Sequence, residues 1–179
     1  MFHHQKYCHQ CGKEVTLKFT EGKDRYVCEH CNIIHYTNPK MVVGALSFWE
    51  NKVLLCKRAI EPRRGFWNLP AGYLEDNEKA EDGAIRETME EAGAEIEIIQ
   101  PLLVYNIPRA NQVYIHFFAF LKDGNITNGV ESLETCLFTE EEIPWNDMAF
   151  TSSTYALRKY FEDRKKGVFK TYLASFPEV

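Results

Sequence analysis

Three glutamates at offsets of three and four residues, Glu87, Glu90 and Glu91, constrain the fold of this chain more than any other feature. On an α-helix these offsets place the three side chains on one face. Like charges on one face repel each other, so something must offset the repulsion, and a divalent cation is the first candidate. Hard divalent cations such as Mg²⁺ bind carboxylate oxygens, and the spacing therefore predicts a helix that carries a metal site.

The neighbouring residues predict how this helix packs and where it ends. Gly93 follows the last glutamate and is typical of a helix C-terminus. The helix is expected to start near Asn77 or Lys79, with Asn77 as a candidate N-cap. Gly83 lowers helix stability by about 1 kcal/mol relative to alanine, and its place among the acidic residues suggests room for a ligand. The residues opposite the carboxylates predict a packed apolar face: Ile85, Thr88, Met89 and Ala92.

The glutamates have a second interpretation, a solvated acidic surface helix in which Arg86 pairs with Glu90. The spacing of the glycines, the arginine and the other glutamate around them favours a metal site instead. It resembles the Nudix box, in which a Gly, five residues, a Glu, seven residues and Arg-Glu-x-x-Glu-Glu-x-Gly follow one another. Thr88 and Ala94 stand where the family prefers large aliphatic residues, which concerns helix packing and not the chemistry. The matching positions are Gly72, Glu78, Arg86, Glu87, Glu90, Glu91 and Gly93.

The resemblance implies a divalent ion, Mg²⁺ or Mn²⁺, held beside a phosphoanhydride. Such an ion screens the phosphate oxygens and lowers the pKa of a bound water. Glu78 is expected to orient Arg86, which aligns the carboxylates. The expected metal ligands are Glu87 and Glu91 first, Glu90 directly or through water, and the backbone carbonyl of Ala71.

The general base and the substrate contacts are less constrained by the motif. Some Nudix enzymes use a glutamate from a later loop as the general base, and others use a glutamate of the box. Glu131 and Glu134 are therefore candidates for the base. The alternative is that both are ordinary exposed acids of a loop. Four arginines can bind phosphate oxygens bidentately or remain solvated: Arg58, Arg63, Arg64 and Arg109.

Two C-x2-C pairs precede the box. Cys8 with Cys11 and Cys28 with Cys31 have the spacing of a four-thiolate zinc ribbon, in which the metal supplies much of the folding energy. Two disulfides are the rival interpretation, and it is weaker because nothing in the sequence suggests secretion. A histidine could replace one thiolate: His9, His30 or His35. Four protein ligands leave no open position for water, so the role is structural.

The ribbon leads through His35-Tyr36-Thr37-Asn38-Pro39 into a Val-Val-Gly strand. This order is similar to a Nudix subgroup associated with ADP-ribose or FAD pyrophosphatase activity. We expect a zinc ribbon over residues 1–38 and a Nudix domain over residues 39–179.

Composition limits the partners. The net charge of −5 argues against broad nucleic-acid binding, and the lysines of the ribbon leave it only as a minor alternative. No apolar run is long enough to span a membrane, and the N-terminus lacks an apolar leader, so a cytoplasmic location is expected. A homodimer is an expectation from the family alone.

Hydrophobic alternation predicts strands near residues 41–49, 52–58, 95–105, 112–121 and 134–139, and a second helix is expected over residues 152–165, capped by Ser152 or Ser153. Together with the resemblance this indicates an α/β/α sandwich around a mixed sheet.

The sequence therefore predicts a Mg²⁺-dependent Nudix pyrophosphohydrolase. ADP-ribose is the first expected substrate, with AMP and ribose 5-phosphate as products, and FAD or NAD(H) is the second. A nucleoside triphosphate or an RNA cap is the alternative within the family. A non-catalytic sensor of ADP-ribose is the alternative from another class, although a mere binder would not need the whole set of carboxylates.

Overall fold

The structure is a computed structural model that describes residues 5–176. It divides into two compact units, Met1–Pro39 and Lys40–Val179. The first residues of the N-terminus, on which the expectation of no leader partly depends, lie outside the described range. Within that range no helix is long and apolar enough to cross a membrane.

The first unit is a small antiparallel sheet of three strands in the order β1-β2-β3. Its strands are β1 (Thr16–Thr20), β2 (Lys23–Cys28) and β3 (Ile33–His35). Glu21 and Gly22 connect β1 to β2 with φ values of 52° and 77°. Two successive positive φ values are typical of the tight hairpin turn that matches the twist of its strands.

This unit has almost no apolar interior. Of its described residues only Cys8, Cys28 and His35 are buried, while Leu17 and Phe19 of β1 are 58% and 77% exposed. Burial of apolar surface therefore contributes little to its stability, as the sequence indicated.

The second unit is a mixed sheet with a helix on each face. Its strands are β4 (Lys40–Trp49), β5 (Lys52–Arg58), β6 (Trp67–Asn68), β7 (Ala71–Tyr73), β8 (Ile96–Ile107), β9 (Gln112–Leu121), β10 (Ser132–Phe138) and β11 (Tyr172–Ser175). Its helices are α1 (Ala80–Ala92) and α2 (Thr151–Lys166), with 3-10 turns at Pro108–Ala110 and Trp145–Asp147. The main path is β10-β5-β4-β9-β8-β11, with β4/β9 and β8/β11 parallel. The predicted sandwich is confirmed.

Alternating residues of the strands fill two separate cores. On β4, Val43 and Ala45 pack with Ala84 and Ala92 of α1. Leu46, which points to the other face, belongs to the cluster that contains the buried apolar residues of α2: Ala156, Leu157, Tyr160 and Phe161. Side chains alternate between faces with a period of two in a strand, so β4 anchors both helices and holds α1 at a fixed position above the sheet.

The sheet divides between β4 and β5. These strands pair only at Phe48 with Val53 and Trp49 with Lys52, beside their connecting turn. Farther along, β7 pairs with β4 and β6 pairs with β5. The segment between β5 and α1 thus enters the gap between the diverging strands, and a cleft opens there.

Several expectations for the helices are wrong in detail. Ile85 and Met89 are 37% and 42% exposed, and the buried face of α1 consists of Gly83, Ala84, Thr88, Glu91 and Ala92. Asn77 does not cap α1, because it has a φ of 63° in the preceding turn and Lys79 occupies the N-cap. Gly93 ends the helix in the left-handed conformation, as expected.

Gly83 and the serines of α2 also have roles other than those expected. A Cβ at Gly83 would lie 2.8 Å from both Val43 Cγ2 and Glu78 Oε2, so the protein itself fills the space that suggested a ligand. Ser152 and Ser153 are buried inside α2, and Phe150 is its N-cap.

Candidate functional site

A cleft of about 740 Å³ opens where β4 and β5 diverge. It contains the expected metal ligands together with residues from four other segments. Among its charged residues, glutamates outnumber arginines six to two: Glu61, Glu75, Glu87, Glu90, Glu91, Glu131, Arg58 and Arg86. Such a surface repels a polyphosphate unless a cation is present.

Arg86 connects the acidic residues of the cleft. Its Nε and Nη2 donate to the two oxygens of Glu78 over 2.8 and 2.9 Å, and Nη1 donates to Glu87 over 2.7 Å and to Glu90 over 3.1 Å. Nη2 also donates to the Tyr73 carbonyl over 3.1 Å. A guanidinium has five N–H donors, so these five bonds use all of them. Arg86 therefore aligns carboxylates and has no donor left for a substrate.

The Arg86 fork and the end of the preceding loop hold Glu78. The bonds from Arg86, followed by one from the Glu75 backbone N–H, lower the pKa of Glu78 to about 2. This carboxylate is thus ionised at neutral pH and belongs to the support of the site.

Glu87 and Glu91 have the opposite electrostatic situation. Burial first, and then the charges of Glu87 and Glu131, raise the pKa of Glu91 to about 8 against the lowering effect of Arg58 and the Ala71 backbone. The pKa of Glu87 is also raised, chiefly by burial, against the effect of Arg86. Burial disfavours the charged form of a carboxyl group, and a divalent cation at this point would restore it.

The backbone of β7 passes directly beneath these carboxylates. A Cβ at Gly72 would overlap the Glu87 carboxylate, which explains why the first position of the box needs glycine. Ala71 pairs with Gly44 of β4 and lines the cleft beside Glu91. The donors brought together, carboxylate and backbone oxygens, are those that Mg²⁺ and Mn²⁺ prefer.

Of the two candidate general bases, one lines the cleft and the other does not. Glu131 lines the cleft, and its charge acts on both Glu87 and Glu91. Glu134 lies on β10, where its carboxylate is 3.5 Å from Lys57 Nζ, and it does not line the cleft.

Only one of the four candidate arginines lines the cleft. Arg58 donates from Nε to the Pro62 carbonyl over 2.9 Å, and its guanidinium lies 5.1 Å from the centre of the Phe150 ring. Arg63 and Arg64 are exposed on the loop beyond it, and Arg109 lies over Phe176 at 3.8 Å, all outside the cleft.

The sequence motifs did not predict the polar and aromatic residues that line another side of the cleft. Tyr114 donates to Gln112 Oε1 over 3.4 Å, and Gln112 Nε2 donates to Tyr73 Oη over 3.0 Å. The aromatic content of the strand 112–121 was visible in the sequence, but the pairing of Val42 with both Tyr73 and Tyr114, which gathers these side chains, was not. Asn68, also in the cleft, accepts a 2.6 Å hydrogen bond from the buried hydroxyl of Ser153.

The first unit contains a separate cluster of ligands. The Sγ atoms of Cys8, Cys11, Cys28 and Cys31 all lie within 4.8 Å of one another, and none of the six cysteines forms a disulfide. Tetrahedral Zn²⁺ with Zn–S bonds of about 2.3 Å places sulfurs roughly 3.8 Å apart, so the cluster fits such an ion. The disulfide interpretation is wrong, and no histidine belongs to the cluster among the described residues.

Comparison with known proteins agrees with this arrangement. Residues 38–160 match the model of the NUDIX domain, and residues 6–37 match the model described as Nudix N-terminal, a zinc ribbon. A crystal structure of a NUDIX hydrolase from Nitrosomonas europaea is 50% identical, with a TM-score of 0.94 over 97% of this chain and 100% of that one.

Two named relatives are more distant. An ADP-ribose pyrophosphatase of Methanocaldococcus jannaschii is 30% identical over 61% of this chain and 67% of its own length. The NAD-capped RNA hydrolase NudC of Escherichia coli is 26% identical over 78% of this chain, but the match spans only 53% of NudC. The matched domain models, the cleft and the cysteine cluster lead to one conclusion: this chain belongs to the Nudix family, and it carries the family's N-terminal zinc ribbon.

Proposed function

We propose that this chain is a metal-dependent pyrophosphohydrolase that acts on a nucleoside diphosphate linked to another group. The observation that carries the proposal is the cleft, where Arg86 gathers Glu78, Glu87 and Glu90 beside the buried carboxylate of Glu91. Acids of like charge are costly to keep together around a buried member such as Glu91, and a site for divalent cations explains why they are adjacent. A binder without chemistry would not need the whole set.

Glu87, Glu90, Glu91 and the Ala71 carbonyl would hold Mg²⁺, or Mn²⁺ in its place. When bound, the ion screens the phosphate oxygens and lowers the pKa of a bound water. Glu78 and Arg86 hold the carboxylates in place, and Arg86 offsets part of their repulsion.

Glu131 is our candidate for the general base. It is exposed to the cleft and close enough to Glu87 and Glu91 to influence their pKa values, so it can receive a proton from water beside the metal ligands. Arg58, the last residue of β5, would bind a phosphate oxygen through its two terminal nitrogens. Water adds across the P–O–P bond, and two phosphate monoesters leave.

ADP-ribose is the substrate we place first, with AMP and ribose 5-phosphate as products. The relative from M. jannaschii bears the name ADP-ribose pyrophosphatase. The name of the NudC relatives favours NAD(H) or an NAD-capped RNA as the second candidate. FAD, nucleoside triphosphates and other caps come after these.

The cysteine cluster is proposed as a structural zinc site. Four thiolates complete a tetrahedral shell, so water has no position on the ion. We assign this role to residues 1–38 and the hydrolysis to residues 39–179.

A substrate screen with the purified full chain tests the proposal. We expect hydrolysis of ADP-ribose to AMP and ribose 5-phosphate with Mg²⁺ or Mn²⁺, and none with EDTA. FAD, NADH and nucleoside triphosphates are compared at equal concentration by product chromatography. Faster turnover of NADH than of ADP-ribose would favour the second candidate. No turnover of any of these compounds would overturn the proposed function.

A further inference from the structure

The segment that carries Glu131 is attached to the end of the helix that carries the metal ligands. The Thr127 N–H donates to the Ala92 carbonyl over 2.8 Å, and the Gly129 N–H donates to the Glu91 carbonyl over 3.0 Å. The last carbonyls of an α-helix have no partner within the helix, so residues 127–129 cap α1 from outside. The main chain of Glu91 is thereby bonded to a residue two positions before Glu131.

Two glycines make this close contact sterically possible. A Cβ at Gly129 would overlap the carbonyl oxygen of Glu90 and would lie 2.9 Å from Glu91 Cα. A Cβ at Gly93, on the helix side, would overlap Thr127 Oγ1. Each segment thus has no side chain at the point where the other segment passes.

The far end of the segment is fixed as well. The Ala59 N–H donates to the Glu131 carbonyl over 2.8 Å, and the Ser132 N–H donates to the Gly129 carbonyl over 3.1 Å. Ala59 directly follows Arg58 at the end of β5. The backbone of Glu131 is therefore held between the helix of the metal ligands and the strand of the phosphate-binding arginine.

The side chain of Glu131 has no such support. Across residues 5–176, no hydrogen bond or ion pair holds its carboxylate, and neighbouring Val130 is 99% exposed. The backbone beneath it therefore sets the part of the cleft that the carboxylate can reach. A general base has to lie within hydrogen-bond reach of the water that it deprotonates, and a misplacement of about 1 Å can reduce the rate roughly 100-fold.

We propose that Gly129 is a positioning residue: its contact with the last turn of α1 fixes the backbone of Glu131 relative to Glu91, so that the base is presented at a set distance from the metal ligands. This inference rests on the proposed function, in which Glu131 is the general base. Gly129 itself touches neither the substrate nor the metal.

The variant Gly129→Ala tests the steric contact. Gly129 does not have a positive φ, so the added methyl group acts through its overlap with Glu90 and not through backbone strain. We expect a fall in kcat of roughly 100-fold, with little change in KM or in the Mg²⁺ concentration needed for half-maximal activity. The matched control is Gly124→Ala in the same connection, where a Cβ would find its nearest neighbour, Trp49 Nε1, at 3.1 Å.

A double-mutant cycle with Glu131→Gln distinguishes positioning of the base from general loosening. If Gly129 acts through Glu131, Gly129→Ala costs little further activity once the base is removed. Unfolding by urea, followed by tryptophan fluorescence, verifies that the variants fold.

The outcomes separate this inference from the proposed function. Additive losses in the cycle, a changed metal requirement with unchanged kcat, or full activity of either single variant would overturn the inference while leaving the hydrolase in place. Absence of turnover in the unmodified protein would overturn the proposed function itself.

Discussion

The two clusters of anionic ligands in this chain have opposite surroundings. The four thiolates lie in a unit whose buried residues are little more than the ligands themselves, Cys8 and Cys28 among them. The carboxylates lie at the edge of a unit with two apolar cores, one on each face of its sheet. A unit without a core depends on its metal to fold. A unit with an apolar core is stable enough to hold several repelling carboxylates around a metal ion that keeps a free coordination position. Metal-assisted chemistry requires such a free position.

Removal of zinc should produce the largest effect and the sharpest contrast. Zinc binding to small ribbons is worth on the order of 10 kcal/mol of folding free energy, so Cys28→Ser should unfold the first unit. All three tryptophans, Trp49, Trp67 and Trp145, belong to the second unit. The urea unfolding of the second unit, followed by tryptophan fluorescence, should therefore remain unchanged. The zinc content, measured by elemental analysis, should fall from about one equivalent to none.

Cys136→Ser is the matched control, because this cysteine lies on β10 and outside the cluster. It should retain zinc. If the tryptophan transition collapsed together with the loss of zinc, the contrast between the two units would be false.

Substitution of Glu91 should give the reverse pattern: lost chemistry with an intact fold. For Glu91→Gln we expect kcat to fall on the order of 10³-fold or more, which corresponds to about 4 kcal/mol of transition-state stabilisation. Burial penalises the charged form of Glu91, so a neutral amide should leave the urea midpoint of the metal-free protein unchanged or raise it.

Glu97→Gln, an exposed position on β8, controls for loss of a surface charge. Its kcat should match that of the unmodified chain. A Glu91→Gln protein that retained full turnover would mean that this carboxylate has no part in the reaction.

The smallest of these effects concerns His116, inside the core of the second unit. Burial lowers the pKa of His116 to about 4, and none of the described residues hydrogen-bonds its ring nitrogens. The unfolded state has a pKa of about 6.5 and takes up a proton first as the pH falls. Stability is therefore full above about pH 6.5 and decreases by about 3 kcal/mol towards pH 4.

The substitution His116→Leu should remove this part of the pH dependence from the tryptophan transition. It should also raise stability at neutral pH, because an unpartnered buried polar group is lost. An identical pH dependence in both proteins would show that His116 does not titrate in this way.

The extent to which the sequence predicted the site depended on how local the relevant contacts are. Cys8 to Cys31 and Glu78 to Gly93 are ligand patterns of short range, and their spacing alone indicated the chemistry. Glu131 could not be distinguished from Glu134, because the distinction depends on a capping contact with α1 that no local pattern encodes. The strands expected at 41–49 and 52–58 were found with nearly those limits, yet their divergence was not predicted.

Errors arose where periodicity competed with tertiary packing. The sequence around Gly83 suggests room for a ligand, whereas in the structure this glycine allows α1 to lie against Val43 and Leu74. Ile85 and Met89 fit an apolar face by helical period, but the sheet is covered by the smaller Ala84, Thr88 and Ala92. Small residues allow a helix to approach the sheet closely, and a hydrophobicity pattern does not register that preference.

The complete use of the Arg86 donors has a consequence for how this site tolerates change. Lysine has the same charge but only three donors and no planar fork, so at position 86 it would leave at least two of the five acceptor contacts unmade. Substitution of the surrounding acids is restricted for the same reason. A change of the glutamate at 78, 87 or 90 leaves an N–H donor of Arg86 without its acceptor, and the remaining acceptors then compete for that donor.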